Sequence, residues 1–275
     1  MTRNFSIKKI GWTLLDRYLP GMAFSYRRWR EQSALDKRTG LTPWGFKLSG
    51  NLNMGKGEFE QNETDLVRKL LADVDVLVNV GANIGYYCMH ALSMGKEVIA
   101  FEPIQSNLDF LCKNVVDNDW SCEIIPLALS KKPGILKIYG GGTGASLIKG
   151  WAGTSENYFT YVPCSTMDII LQDRLRGKKV LFVVDVEGAE QWVLEGSTKI
   201  LQNDPKPLWL IEIVTSQHQP DGQINPNLTN TFDLMFKAGY KAVTADPDMK
   251  PINLEEVVAT QNKSAVLGSY NFLFS

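Results

Sequence analysis

The chain has 275 residues, 44% of them hydrophobic and 21% charged, with a formal net charge of -1. That suits one α/β domain with an N-terminal extension, and it lacks the basic excess of a nucleic-acid binder, so no nucleic-acid partner is expected. Four scattered cysteines, Cys88, Cys112, Cys122 and Cys164, with only His90 and His218 to assist them, argue against a zinc site or a disulfide framework; with no secretory leader or membrane-length apolar run in view, the simplest compartment is the cytoplasm.

Residues 1–44 read as a basic, partly helical extension. Arg3, Lys8, Lys9, Arg17, Arg27, Arg28, Arg30, Lys37 and Arg38 face only Asp16, Glu31 and Asp36. Ile7, Ile10, Leu14, Leu15 and Leu19 recur at helical spacing up to Pro20 and Gly21, which predicts an amphipathic helix. Such a helix packs on the rest of the chain or on a second subunit, or makes peripheral contact with an anionic membrane. Oligomeric state has no signature in the sequence.

Residues 45–275 read as one domain. Residues 45–57 suggest strand and turn, and 63–71 a helix with Leu66, Leu70 and Leu71 on one side. Val76–Val80 is an apolar run of the kind carried by strands buried on both faces, followed by a glycine turn and a helical stretch at 86–94. A strand at 98–101, a helix at 107–116 carrying Leu108, Leu111, Val115 and Val116, and a third strand at 123–128 continue the alternation. Strand, helix, strand, helix, strand predicts parallel βαβ units. Gly140, Gly141, Gly142 and Gly144 then separate two β-like pieces, 135–139 and 159–163, as a hairpin or insertion near the mouth of a site. Trp151, Tyr158, Phe159 and Tyr161 accompany it, as an apolar wall for a ligand ring or as hairpin core. Strands at 180–186 and 208–214 flank a helix containing Trp192, Val193 and Leu194, and a helix at 232–238 and strands at 241–244 and 270–274 close the pattern.

Gly81 and Gly85 bracket three residues at the exit of the first buried strand. Glycine there tolerates positive φ and lets a ligand press against backbone, and the following helix presents unpaired N–H groups. Glu102 ends the next strand about twenty residues on, where a carboxylate accepts hydrogen bonds from both ribose hydroxyls of a nucleoside cofactor. Dinucleotide sites place glycine where this chain has Asn83, so a cofactor without a pyrophosphate is favoured and an NAD-linked dehydrogenase or epimerase is the enzymatic alternative. Asp185 closes a fourth strand at the edge where open α/β sheets hold ligands, with Glu187, Glu190 and Glu212 near the same rim and His218 in a polar loop beyond.

Residues 78–87 (VNVGANIGYY), Phe101-Glu102-Pro103 with Asn107, Ala128-Leu129-Ser130, Asp185-Val186-Glu187-Gly188-Ala189-Glu190, residues 193–196 (VLEG), residues 210–213 (LIEI) and Asn271-Phe272-Leu273 together resemble the FkbM family of S-adenosylmethionine-dependent methyltransferases. The resemblance runs from about Gly45 onward and leaves the first forty residues outside it. It implies a Rossmann-like, seven-stranded, mostly parallel sheet with helices on both faces and an antiparallel last strand. It also implies S-adenosyl-L-methionine as cofactor and methyl transfer most often to a hydroxyl, here on a small-molecule or glycan acceptor.

On that reading Glu60, Glu63, Asn79, Gly81, Ala82, Asn83, Gly85, Glu102, Pro103, Asn107, Ala128 and Asp185 hold the cofactor. The family usually has Asp where this chain has Asn79, which leaves Glu60 and Glu63 to supply the lost charge and makes an inactive methyltransferase-fold scaffold the non-enzymatic alternative. Methyl transfer needs an aligned nucleophile and a base for its proton, for which Asp185, Glu187 and His218 are the candidates. Glu190 suits a helix start instead. Asp185 and Glu212 alone are thin support for a divalent ion, so no metal is expected. The Asn-Pro-Pro-Tyr-like segment of base-flipping amino methylases is missing after the fourth strand.

Overall fold

The computed structural model describes Met22 and residues 39–220, 223–263 and 265–275; the amphipathic helix expected before Pro20 lies outside the described residues. Strands β1 (Gly40–Leu41) and β2 (Lys47–Leu48) form a short antiparallel pair that leads into helices α1 (Leu52–Lys56) and α2 (Gln61–Ala72). Helix α1 stands where strand and turn were expected. The Asn51 side chain caps it by accepting from the backbone N–H groups of Asn53 and Met54, and Gly57 ends it.

The alternation follows as read: β3 (Val76–Val80), α3 (Tyr86–Ser93), β4 (Glu97–Phe101), α4 (Gln105–Asp117) and β5 (Glu123–Ile125). The third strand ends earlier than the sequence suggested. Pro126 has no N–H to donate, and beyond it β6 (Ala128–Leu129) joins β7 (Gly134–Tyr139) and β8 (Phe159–Ser165) in a separate three-stranded sheet, ordered β6-β8-β7. The expected hairpin is thus β7 paired antiparallel with β8. Then come α5 (Met167–Leu171), β9 (Val180–Val184), α6 (Glu190–Glu195), β10 (Leu208–Glu212), α7 (Leu228–Lys237), β11 (Ala242–Thr244), β12 (Pro251–Ile252), α8 (Leu254–Gln261) and β13 (Asn271–Phe274). The sequence pattern had not distinguished α5, β12 or α8 from loop.

The main sheet runs β12-β11-β13-β10-β9-β3-β4-β5, with β10, β9, β3, β4 and β5 parallel and β13 antiparallel to both its neighbours. The two-residue β12 adds an eighth strand to the seven expected. Side chains alternate across it. Val76, Val78, Val80, Phe182, Val184, Trp209 and Ile211 pack toward α6, α7 and α8, whereas Leu77, Leu181, Val183 and Leu210 share a cluster with Val67, Leu71, Met89 and Leu111 of α2, α3 and α4. The Phe182 and Trp209 rings stack 4.0 Å apart in the first layer. No helix among the described residues is long and apolar enough to cross a membrane.

Strand order reverses between β3 and β9, which opens a crevice at their carboxyl ends. The Gly81 and Ala82 N–H groups both donate to the Phe101 carbonyl at 2.9 Å, and the Asp185 N–H donates to the Val80 carbonyl at 3.0 Å. Gly81 has φ of 78°, and a Cβ there would lie 1.8 Å from the Asp185 carbonyl oxygen. Gly81→Ala must therefore push β9's exit away from β3, at a cost of about 2–4 kcal/mol in urea unfolding. Gly177→Ala, also at positive φ but with open space around its Cβ, should cost about 1 kcal/mol.

Candidate active site

Glu102 leaves β4 buried, with 3% of its surface exposed. Its Oε2 accepts from the Asn83 N–H and its Oε1 from the Ile104 N–H, each at 2.8 Å. Burial pushes its carboxyl from 4.5 up to about 7, against the opposing pull of these two N–H groups and of Asn107. It faces a cavity of about 580 Å³, which Gly81, Asn83, Pro103, Asn107, Ala128 and Asp185 also line. Gly142, from the insertion expected near the mouth of a site, joins this wall, together with Ile104, Leu127, Ile138, Thr143, Ala145 and Leu147, which the sequence had not named. Asn107 ties part of that insertion down by donating to the Gly142 carbonyl at 3.2 Å. Asn83 Oδ1 is buried without a hydrogen-bond partner, an acceptor left for a ligand donor.

Three expected cofactor contacts are not among the residues around these spaces. Asn79 has the strand parity of Leu77, so it faces α3: its Nδ2 donates to the Val183 carbonyl and its Oδ1 accepts from the Cys88 thiol, both at 3.4 Å. Gly85 is needed for packing, because a Cβ there would sit 2.3 Å from Leu111 Cδ1. Ala82 is buried in the turn, its carbonyl accepting from the Gly85 N–H at 2.8 Å.

Beyond Asp185 the crevice continues as an acidic chamber of about 270 Å³ between Glu60, Glu63, Tyr87, Asp185, Glu212 and Asn271. The Tyr87 hydroxyl donates to Glu60 Oε2 at 2.8 Å and Asn271 Nδ2 to Glu63 Oε1 at 3.2 Å. Sequence reading missed both partners, although Tyr87 lies in the quoted glycine motif and Asn271 opens the last quoted one. A third space, of about 130 Å³, lies between Trp151, Asp185, Glu187, Gly188, Glu190, Glu212 and Val214. Asp185 therefore borders all three.

Burial pushes Glu60 up to about 7, the Tyr87 hydrogen bond opposing it, and Glu190 up to about 8, against N–H groups including that of Gly188. Burial also raises Asp185, with Glu187 adding to the shift, and Glu212, with Asp185 adding most among its neighbours. Among the described residues no group of three or more His, Cys, Asp or Glu side chains is placed to hold a metal ion.

Glu187, at φ of 55°, is fixed on several sides. Its Oε2 accepts from the Trp151 indole N–H at 2.7 Å, its carbonyl accepts from Ser146 Oγ at 2.5 Å, and His218 Nδ1 lies 3.8 Å from Oε2. Burial raises its carboxyl while Trp151 lowers it. Trp151 is itself buried, with its ring over Gly188. Glu190 starts α6 and accepts from the Gly188 N–H at 2.9 Å, the helix-start role expected of it. Phe159 and Tyr161 do not join Trp151 at the site. They sit on β8 with Lys137 over their rings.

Residues 79–242 match the sequence pattern of the methyltransferase FkbM domain. The chain belongs to that family. No curated protein matches it. Among solved structures this FkbM chain is similar to a precorrin-6y C5,15-methyltransferase from Geobacter metallireducens GS-15, at 12% identity and a TM-score of 0.40, over 68% of this chain and 76% of that one. It is likewise similar to WbdD, at 12% identity and 0.40, over 82% of this chain and 41% of that one, so it spans less than half of WbdD. An O-methyltransferase from Bacillus cereus in complex with SAH is similar at 9% identity and 0.43, over 78% of this chain and 80% of that one.

Two outcomes follow for this FkbM domain. Asn79→Asp puts a carboxylate against the Val183 carbonyl in a buried layer, so it should lower stability by about 2–4 kcal/mol in urea unfolding without tightening any ligand. The second concerns pH. Glu60, Glu102 and Glu190 keep their protons in the folded state up to about 7 or 8, but lose them near 4.5 when exposed. The folded state binds more protons across that window, so the stability of the ligand-free protein should fall as pH rises from 5 to 8. Urea midpoints through this range measure it.

Proposed function

We propose that the protein transfers a methyl group from S-adenosyl-L-methionine to a hydroxyl oxygen of a glycan, a lipid-linked sugar or a secondary metabolite. The observation that carries this reading is one crevice with two unlike ends joined at Asp185: a cavity beside the glycine turn with Glu102 in its wall, and a chamber of carboxylates. The ligand that suits both has a ribose at one end and positive charge at the other. A dinucleotide would bring its pyrophosphate against the turn between Gly81 and Gly85, where Asn83 stands in place of the glycine that lets it approach.

The residues present fit S-adenosylmethionine. Glu102 would accept from the ribose hydroxyls, the orphaned Asn83 Oδ1 would accept a further hydrogen, and Glu60, Glu63 and Glu212 would surround the amino group. When bound, this cofactor supplies an electrophilic methyl group on a sulfonium. Glu187 takes the acceptor's hydroxyl proton. Burial makes it a stronger base than a solvated carboxylate, Trp151 fixes one of its oxygens, and the half-exposed His218 beside it relays the proton to solvent. We place this chemistry in residues 45–275, acting in the cytoplasm with residues 1–44 as an extension.

Glu102→Ala should weaken S-adenosylhomocysteine binding by about 1.5–3 kcal/mol, read by isothermal titration with circular dichroism as the check on folding. Unchanged affinity in the folded variant, or wild-type affinity for NAD and none for S-adenosylhomocysteine, would sink this reading.

A further inference from the structure

Two carboxylates of the acidic chamber, Glu60 and Glu63, stand at the start of α2, and each is held by a neutral donor from a distant element: Tyr87 of α3 and Asn271 of β13. Among the described residues no lysine or arginine pairs with Glu60, Glu63, Asp185 or Glu212. A cationic partner would fix a carboxylate equally well but cancel its charge. A phenol or an amide fixes it and leaves the charge for a ligand.

Glu60 departs from what its place in the chain favours. It precedes the first residue of α2, where an extended backbone and a side chain turned to the helix's own N–H groups are usual. Its backbone is instead left-handed, with φ of 38° and ψ of 57°, and its side chain makes no capping hydrogen bond. That conformation is strained for a residue other than glycine. It turns Glu60 away from its own helix and onto the Tyr87 hydroxyl, 2.8 Å away. Tyr87 is fixed in its turn. It lies in the first turn of α3, straight after the glycine turn, and its ring meets that of Tyr86 edge-on with centroids 5.3 Å apart. Burial, then the charge of Glu60, push its phenol well above 10, so the hydroxyl keeps its proton and stays a donor.

We propose that Tyr87 is a positioning residue for cofactor recognition, holding the Glu60 carboxylate toward the ammonium of the cofactor's methionine end. The inference rests on the methyltransferase reading above. Glu102 and Asn83 belong to the other cavity, so the Tyr87 hydroxyl governs recognition of the amino-acid end and leaves that of the nucleoside untouched.

Calorimetry on the full chain with S-adenosylhomocysteine and with methylthioadenosine tests this, because the second ligand keeps the nucleoside and the thioether but has no amino-acid end. Tyr87→Phe keeps the ring and removes the hydroxyl. It should weaken S-adenosylhomocysteine roughly three- to tenfold and leave methylthioadenosine unchanged. Glu60→Gln keeps the shape and removes the charge, with a loss of roughly ten- to a hundredfold for S-adenosylhomocysteine alone. The double variant should bind it no more weakly than Glu60→Gln, since Tyr87 acts through Glu60.

The pH dependence carries a second signature. Burial raises Glu60 most, and the Tyr87 hydrogen bond opposes it and the like charges of Asp185 and Glu63, with Glu187 and Glu212 in the same field. Without that hydrogen bond Glu60 keeps its proton to higher pH, so S-adenosylhomocysteine affinity should begin to fall on acidification at a higher pH in Tyr87→Phe than in the wild type. Glu60→Asp, which draws the carboxylate back from the hydroxyl without touching α3, should show the same selective loss. Equal loss of both ligands in folded Tyr87→Phe, no loss of either, or wild-type S-adenosylhomocysteine affinity in Glu60→Asp overturns the role of Tyr87 alone. Absence of affinity for both ligands in the wild type overturns the methyltransferase reading and this one with it.

Discussion

Gly81 leaves no room for a Cβ beside the Asp185 carbonyl, and the geometry of the site descends from that contact. Because no side chain stands between them, β3 and β9 stay hydrogen-bonded to their last residues, and the chain leaves each strand in a different direction. One exit carries Asn83 to Glu102; the other carries Asp185 and Glu187 toward the acidic chamber and Trp151.

The second constraint is electrostatic. Glu60, Asp185, Glu187, Glu190 and Glu212 crowd a partly dry space, and His218, beside Glu187, is the one base-bearing ring paired there among the described residues. Folding keeps such a cluster by letting it hold protons, which is why burial raises these groups. A cationic ligand favours the opposite protonation state, so ligand binding and proton release are linked. The same carboxylates that weaken the empty protein at high pH would attract a ligand of positive charge.

Much of this was legible in the residues because it depends on local order. The glycine turn, Glu102 at a strand end and Asp185 at the next strand's end follow from chain position alone. Asn79 was misread because the motif was taken as a string and not as a strand: with Leu77 pointing to α2 and α3, residue 79 points there too. Gly85 answers to Leu111, twenty-six positions away, a contact that no spacing announces. Trp151 and Asn271 reach the site from an insertion and from the final strand. Their partners are far off in sequence, so only the folded chain shows which carboxylate each one meets.

Strand order also bears on how the protein is made. β13 follows β11 and β12 in sequence, yet it lies between β10 and β11, and it brings Asn271 to Glu63 across 208 positions of sequence. While the chain is still emerging from the ribosome, β10 has an open edge and the acidic chamber has no far wall, so its carboxylates remain hydrated. The chamber is thereby closed only once β13 has been synthesised and inserted beside β10.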